Sequence, residues 1–260
     1  MMGFSEGRVG RILISNDDGI DAEGLVVLEE LAHQLADEVW VIAPDSNCSG
    51  YGRSLTLGRD LHLTRHGERR YTVDGTPTDC IIMAANMLMK DTPPDLVLSG
   101  VNFGMNVADD ITCSGTIGAA WEATVHRIPS IALSQKYDKS NPLELKESFE
   151  ASRAYGVSVI RQLLDRGWAE NVVMNVNFPS VAPDQVKGIK AVTVGRHKQS
   201  DDVQTGAGEN QYRIGLMRLS DDLDINTDVG ALLEGYITVC PLSLDMTDRA
   251  TLHDYDMLTV

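Results

Sequence analysis

The stretch RILISNDDGIDAEGL, residues 11–25, runs from a short apolar segment directly into two adjacent carboxylates. Its first part, residues 11–15, has the composition of a buried β-strand. A helix over 22–36 follows, with Asp21 as its expected N-cap, because leucines recur on one face. The apolar segment 39–43 completes a β-α-β unit, which is right-handed and typical of α/β proteins.

The remaining segments continue this alternation. Two short alternating segments, around 55–63 and 71–73, predict a β-hairpin. A helix then begins with Thr76 as its cap and Pro77 at its first position, and Asp79 completes a capping box. We therefore predict an α/β fold with a mostly parallel sheet.

The later part of the chain changes character after about residue 195. Before that point, residues 95–99 are predicted to form a strand, and residues 117–126 and 143–165 to form helices. The segment that follows is polar and irregular, with acidic clusters, which indicates an extended arm or hairpin rather than core. The expected regions are a core over 1–195, an arm over 196–225, and a C-terminal helix and strand that return to the core, with a tail, over 226–260.

Composition limits the partners. The formal net charge is −16 and the sequence pI is about 4.6, which argues against nucleic-acid duplexes and anionic membranes. No stretch approaches the roughly 20 apolar residues of a membrane span, and no signal-peptide pattern is present. Four widely spaced cysteines without a CxxC pair suit free thiols in a reducing cytoplasm.

Oxygen-bearing side chains gather in three loops that follow predicted strands. Ligands of open parallel sheets bind beyond the carboxyl ends of the strands, so we expect these loops to meet. The loops follow residues 15, 43 and 99. Their oxygen-bearing side chains are Asp17, Asp18, Ser46, Ser49, Asn102, Asn106, Asp109 and Asp110.

The pair Asp17 and Asp18 is the most informative feature. Two carboxylates about 4 Å apart repel by about 4 kcal/mol at an effective dielectric of 20, and a divalent cation removes that conflict. Gly19 frees the backbone so that both can aim at one point. An oxygen-only ligand set suits Mg²⁺ or Mn²⁺. The alternative is a simple turn followed by a helix cap.

A second candidate is CSGTIGAA, residues 113–120, where small residues lead into a helix. Free backbone N–H groups and the helix dipole form an anion site at such a position, and Ser114 and Thr116 add hydroxyls. The alternative is that Ser114 is only an N-cap. The sequence contains no GxGxxG and no P-loop motif.

A third candidate is weaker. Cys48 and Arg53 are similar to the cysteine and arginine of the phosphate loop in cysteine phosphatases, but only four residues separate them where five are needed. A cysteine-nucleophile phosphatase is therefore a minor alternative, and Ser49 fits better as a metal or phosphate contact.

Five motifs, in order, resemble the signatures of the SurE family of metal-dependent 5′/3′-nucleotidases. They are ILISNDDGIDAEGL, VIAPDSNCSG followed by SLTL, VDGTPTDC, PDLVLSGVNFGMN and SGTIGAAWEA. The resemblance implies a three-layer Rossmann-like core and one divalent metal ion per subunit. It also implies a homodimer or homotetramer with exchanged C-terminal arms.

The resemblance also implies site residues. The implied metal ligands are Asp17, Asp18, Ser49 and Asn102. The implied phosphate contacts are Asn106, Ser114, Gly115 and Thr116.

The resulting hypothesis is a phosphomonoesterase of nucleoside 5′- and 3′-monophosphates, with short polyphosphate as a further substrate. The metal would act as Lewis acid and template, and Asp17 would also accept the proton of the attacking water. The rival hypothesis is a non-catalytic nucleotide-sensing or scaffold protein on the same fold, which fold alone does not exclude.

Overall fold

A computed structural model describes residues 8–137, 149–196, 198–200, 202–214, 218–219 and 224–254. The strands in chain order are β1 Val9–Ser15, β2 Ala36–Pro44, β3 Leu63–Arg65, β4 Arg70–Val73, β5 Leu96–Phe103, β6 Ser130–Gln135, β7 Val172–Phe178, β8 Ile189–Ala191, β9 Lys198–Ser200, β10 Val203–Thr205, β11 Tyr212–Ile214, β12 Arg218–Leu219 and β13 Ile237–Ser243. The α-helices are α1 Glu23–His33, α2 Pro77–Met83, α3 Gly115–Val125, α4 Glu150–Arg166, α5 Asp228–Leu233 and α6 Arg249–Asp254.

Nine of the described strands form one sheet, in the order β3-β4-β2-β1-β5-β6-β7-β13-β8. The six strands from β4 to β7 in this order are mutually parallel, whereas β3 and β13 run antiparallel to their neighbours β4 and β7. From β1 the chain builds the sheet outward through β2 and β4, and then returns to place β5 on the other side of β1. The point between β1 and β5 is therefore the topological switch point, where open α/β sheets bind ligands.

Helices cover both faces of the sheet. One face carries α1 and α4, whose apolar residues join those of β1, β5 and β7 in the largest hydrophobic cluster. The other face carries α2 and α3, which contact each other and bury residues such as Leu13, Cys80 and Ala119. The predicted three-layer α/β fold with a mostly parallel sheet is confirmed. Within the described residues, no helix is long and apolar enough to cross a membrane.

The edges of several elements differ from the predictions. The first helix begins at Glu23, and its cap is Ala22, which makes no side-chain cap hydrogen bond. The prediction that Asp21 caps this helix is wrong, because the turn closed by the Ala22 N–H on the Gly19 carbonyl (3.2 Å) leaves Asp21 one residue outside the cap. The capping box of α2, with Thr76, Pro77 and Asp79, is confirmed.

Three more elements differ from their predicted bounds. The helix predicted over 117–126 begins at Gly115, because Ser114 caps it. The first strand of the predicted hairpin, around 55–63, is wrong except for Leu63, because the observed strand is Leu63–Arg65; its antiparallel pairing with β4 is confirmed. The helix predicted over 143–165 is observed as Glu150–Arg166, and residues 143–148 lie outside the described residues.

The described residues between 198 and 219 form two short antiparallel strand pairs. Strand β10 pairs with β11, and β12 pairs with β9, apart from the main sheet. The predicted arm over 196–225 stays a prediction, because part of it lies outside the described residues. After the arm, α5 leads to β13, which lies inside the main sheet next to β7.

An irregularity in β5 shapes the switch point. The register between β5 and β6 shifts between Ser99 and Asn102, so the end of β5 is re-aimed as at a β-bulge. Helix α1 packs tightly on this irregularity, because a Cβ on Gly24 would lie 1.9 Å from the Val101 carbonyl oxygen. A glycine at position 24 is therefore needed for α1 to approach the sheet.

We expect Gly24→Ala to destabilise the protein by at least about 3 kcal/mol, the upper end of the range for overpacked cores, because the added methyl group meets backbone rather than a flexible side chain. Thermal unfolding checks this. Gly67→Ala is the matched control, since a Cβ there meets only the Arg70 Cβ at 3.6 Å. Equal melting temperatures for the two variants would contradict the packing argument.

Candidate active site

Asp17 lies at the end of β1 and is buried against the first turn of α3. Thr116 donates its hydroxyl to the Asp17 Oδ1 at 2.6 Å. A Cβ on Gly115 would lie 2.7 Å from the Asp17 Cβ and 2.9 Å from its Oδ2. Burial raises the pKa of Asp17, while the Thr116 hydroxyl and the amides at the start of α3 act to lower it. The positive end of α3 therefore already faces a carboxylate.

Asp18 points to the neighbouring strand. The Phe103 N–H at the end of β5 donates to the Asp18 Oδ2 at 3.2 Å. Burial and the charge of Asp17 raise the pKa of Asp18 to about 6. The two carboxylates are thus held close enough to repel each other, as the sequence predicted.

Protein cations do not compensate this pair. No lysine or arginine of the described chain forms an ion pair with Asp17 or Asp18. Within the same residues, no three His, Cys, Asp or Glu side chains are grouped as a metal site. Any metal held here therefore needs hydroxyl and amide oxygens besides the two carboxylates. Such a donor set fits Mg²⁺ or Mn²⁺, and a dication would relieve the repulsion.

A tight turn places Ser49 next to a residue that is hydrogen-bonded to Asp17. The Cys48 N–H donates to the Asp17 carbonyl at 2.7 Å, and the Tyr51 N–H closes the turn on the Cys48 carbonyl at 3.2 Å. Gly50 has φ +80°, the conformation that a type II turn requires at its third residue. Ser49 is exposed on this turn, next to the residue that is bonded to Asp17.

Asn102 reaches the same area from β5. It precedes Phe103, whose amide binds Asp18, and its Nδ2 donates to the Gly104 carbonyl at 3.0 Å. This orientation leaves the side-chain oxygen of Asn102 as the atom that can bind a metal. The structure therefore brings Asp17, Asp18, the Ser49 turn and Asn102 together.

Asn106 lies further along the strand ends and contacts neither carboxylate. Its Nδ2 donates to the Ser134 Oγ at 2.9 Å, and Ser134 is the register partner of Asn102. Its backbone is held by β7: the Asn106 N–H donates to the Asn177 Oδ1 at 2.8 Å, and the Asn175 Nδ2 donates to the Asn106 carbonyl at 2.8 Å. The position of Asn106 is thus fixed by fully buried polar side chains.

The start of α3 bears on the two interpretations that the sequence left open. The Ser114 Oγ accepts the Ile117 N–H at 3.1 Å, so the N-cap interpretation is confirmed. The Gly115 and Thr116 backbone nevertheless lies against Asp17, at the centre of the site. A phosphate-binding role for Ser114, Gly115 and Thr116 stays a prediction.

The cysteine-nucleophile alternative loses its support. Cys48 is buried, and burial together with nearby carboxylates raises the pKa of its thiol. A reactive thiolate needs the opposite environment. Arg53 does not compensate, because its guanidinium is paired with Glu122.

Several contributors were not found from sequence. The Cys48 and Phe103 contacts are made by backbone amides, so the types of these residues do not predict them. Asn175 and Asn177 could have been found from the sequence. They stand at alternate positions of an otherwise apolar strand, so their side chains share one face and need hydrogen-bond partners when buried.

Comparison with known proteins gives consistent matches. The family profile described as Survival protein SurE matches residues 12–201. A curated protein of Erythrobacter litoralis named 5′-nucleotidase SurE is 47% identical over 246 residues, which cover 93% of this chain and 96% of that protein. The protein of the same name from Rhodospirillum rubrum is 44% identical over 93% of both chains. The crystal structure of the SurE protein from Aquifex aeolicus matches with a TM-score of 0.81 and 35% identity, over 94% of this chain and 97% of that one.

The raised pKa of Asp18 leads to a prediction about the metal-free protein. The folded state binds the proton of Asp18 more tightly than the unfolded chain does, so the free energy of unfolding falls as pH rises from about 4 to about 6. We expect Asp18→Asn to remove this loss and to raise the melting temperature in EDTA above pH 6 by about 2–4 °C per 1 kcal/mol recovered.

The control for this prediction is Asp21→Asn, which removes one exposed charge from the same loop. Thermal unfolding of the variants and the parent protein in EDTA, at about pH 4 and above pH 6, measures the difference. A gain for Asp18→Asn that is equally large at both pH values, or a loss at both, would contradict the assignment.

Proposed function

The chain belongs to the SurE family, and from this premise we propose that it is a nucleotidase that hydrolyses nucleoside 5′-monophosphates with a bound divalent metal. The observation that carries the proposal is the contact of Asp17 with the first turn of α3, beside Asp18 at the switch point of the sheet. The curated relatives carry the name 5′-nucleotidase. Nucleoside 3′-monophosphates and short polyphosphate are proposed as further substrates.

We propose one Mg²⁺ or Mn²⁺ ion, held by Asp17, Asp18, Ser49 and Asn102. The repulsion between the buried Asp17 and the partly buried Asp18, with which no lysine or arginine of the described residues is paired, supports this set. When bound, a divalent ion supplies positive charge beside the phosphate oxygens and the attacking water, and polarises them. This charge matters in a protein of net charge −16, which otherwise repels a phosphate ester.

The residues around the ion have separable tasks. Thr116 orients the Asp17 carboxylate through its Oδ1, and Asp17 would bind the ion and take the proton of the attacking water. The start of α3 at Ser114, Gly115 and Thr116 and the amide group of Asn106 would stabilise charge on the phosphoryl oxygens. Their placement on a helix start and on buried strand ends keeps these donors rigid.

We expect Asp17→Asn to lower the turnover of AMP by about 10²–10⁴-fold or more, because a metal ligand and the proton acceptor are lost together. Phosphate release with Mn²⁺, with Mg²⁺ and with EDTA measures this, with circular dichroism to confirm folding. Asp21→Asn is the matched control and should keep full activity. Undiminished activity of Asp17→Asn would overturn the site.

The same assay separates the enzyme from a nucleotide sensor. Metal-dependent release of phosphate from AMP supports the enzyme. Tight binding of AMP by calorimetry, without phosphate release under any metal condition, would overturn the proposed function. Comparing 5′-AMP, 3′-AMP and tripolyphosphate tests the proposed substrate range.

We also propose that the chain forms a homodimer or homotetramer through its arm, residues 196–225. Val203 and Ile214 are register partners on β10 and β11, and Tyr212 follows on the same face. Their side chains are 61%, 79% and 70% exposed, respectively. An isolated two-stranded hairpin is marginally stable, so a covering partner would stabilise it. The cytoplasm is the proposed location, in keeping with the free cysteines.

We expect the double variant Val203→Asp, Ile214→Asp to reduce the oligomer mass, because two charges would enter the covered face of the arm. Size-exclusion chromatography with light scattering measures the mass. Leu57→Asp, at a residue that is 83% exposed outside the arm, is the control. An unchanged mass for the arm variant would show that this face is not the interface.

A further inference from the structure

The turn that carries Ser49 is attached at both ends. Its first residue is bound to Asp17 through the Cys48 amide at 2.7 Å. At its other end, the Gly52 N–H donates to the Cys113 carbonyl at 3.0 Å, directly before α3. The turn therefore bridges the carboxylates at the end of β1 and the first turn of α3.

The backbone of this turn lies directly on α3. A Cβ on Gly118 would be 2.8 Å from the Gly52 carbonyl oxygen and 3.0 Å from the Arg53 Cα. Only a residue without a side chain permits this approach. The turn and the helix are thus in contact within the same four residues that begin α3.

An ion pair completes the attachment. The Arg53 Nη2 lies 2.7 Å and its Nε 3.1 Å from the Glu122 Oε2, one turn further along α3. Glu122 is 7% exposed, and the Arg53 side chain is 35% exposed. His126 lies 3.5 Å from the other carboxylate oxygen. Arg53 and Glu122 are 69 residues apart in sequence.

Such a pair has little value for stability alone. Desolvating a carboxylate and a guanidinium costs about as much as their attraction returns, and apolar residues of similar size often stabilise a protein equally well. A pair of this kind can instead fix one geometry. The geometry fixed here is the distance between Ser49 and the start of α3.

We infer that Arg53 and Glu122 are positioning residues for the metal site: they hold the Ser49 turn against α3, so that the Ser49 hydroxyl reaches the ion bound by Asp17 and Asp18. This inference rests on the proposed metal ligands. It assigns no chemistry to Arg53 or Glu122, which act through the position of Ser49.

The test is the affinity for Mn²⁺ itself, measured by calorimetry without substrate. Replacing a residue that orients a metal ligand typically lowers metal affinity about 10–100-fold, and we expect a loss of this size for Arg53→Met. Arg53→Lys keeps the charge but not the two-nitrogen contact, and should recover affinity in part. Arg153→Met is the matched control, since Arg153 pairs with Glu23 at 2.6 Å and has a side chain that is 38% exposed. It should bind Mn²⁺ as the parent protein does.

A second variant separates positioning from stability. Arg53→Met alone leaves the buried Glu122 charge without its partner and lowers the melting temperature. Adding Glu122→Gln removes that charge, so the double variant should regain melting temperature while its Mn²⁺ affinity stays low. Affinity that recovers together with the melting temperature, or an Arg53→Met affinity equal to that of Arg153→Met, would overturn the inference. A parent protein that neither binds Mn²⁺ nor hydrolyses AMP would instead overturn the proposed function.

Discussion

The rest of the site depends on two adjacent carboxylates, Asp17 and Asp18, just beyond the first strand. Among the residues that the structure describes, no lysine or arginine forms an ion pair with either of them. Burial raises the pKa of both groups, and the charge of Asp17 raises that of Asp18 further. A chain keeps such an arrangement at a cost in stability, since removing the charge of either group would relieve it. The surrounding structure compensates in part, through the Thr116 hydroxyl and the Phe103 amide.

Topology explains why the compensation comes from distant parts of the chain. Because β1 and β5 are adjacent at the switch point, Asp18 meets an amide that lies 85 residues away. The parallel order likewise brings the turn after β2 and the start of α3 to the same edge of the sheet. Each partner is supplied by a different crossover, so the site exists only when the whole sheet is assembled.

Sequence reasoning predicted the parts of this arrangement that depend on local patterns. Alternating apolar segments predicted the α/β fold, and the strand-end rule placed Asp17, Ser49 and Asn102 at one edge. The failures arose where geometry is set by contacts between distant segments. Helix α1 begins at Glu23 rather than at the predicted residue 22, because a main-chain turn stands in place of the expected Asp21 cap. No pattern in the sequence indicates that the Cys48 and Phe103 amides hold the carboxylates, because every residue except proline has such a group.

The two sides of the switch point are held by different means, and this difference bears on how the site works. On the β1 side, the first turn of α3 packs against Asp17, with the second carboxylate, Asp18, next to it in sequence. On the β5 side, Asn106 is held by neutral amides of β7, and its loop is further tied by Asp228, which accepts the Ala108 N–H at 2.8 Å. Asp228 belongs to α5, so the C-terminal part of the chain fixes one wall of the site. A phosphate placed between the two sides would meet rigid neutral donors on the β5 side and the carboxylates of Asp17 and Asp18 on the β1 side. Neutralising the carboxylate pair would favour binding of the anion, and the proposed metal ion would supply the positive charge that does so.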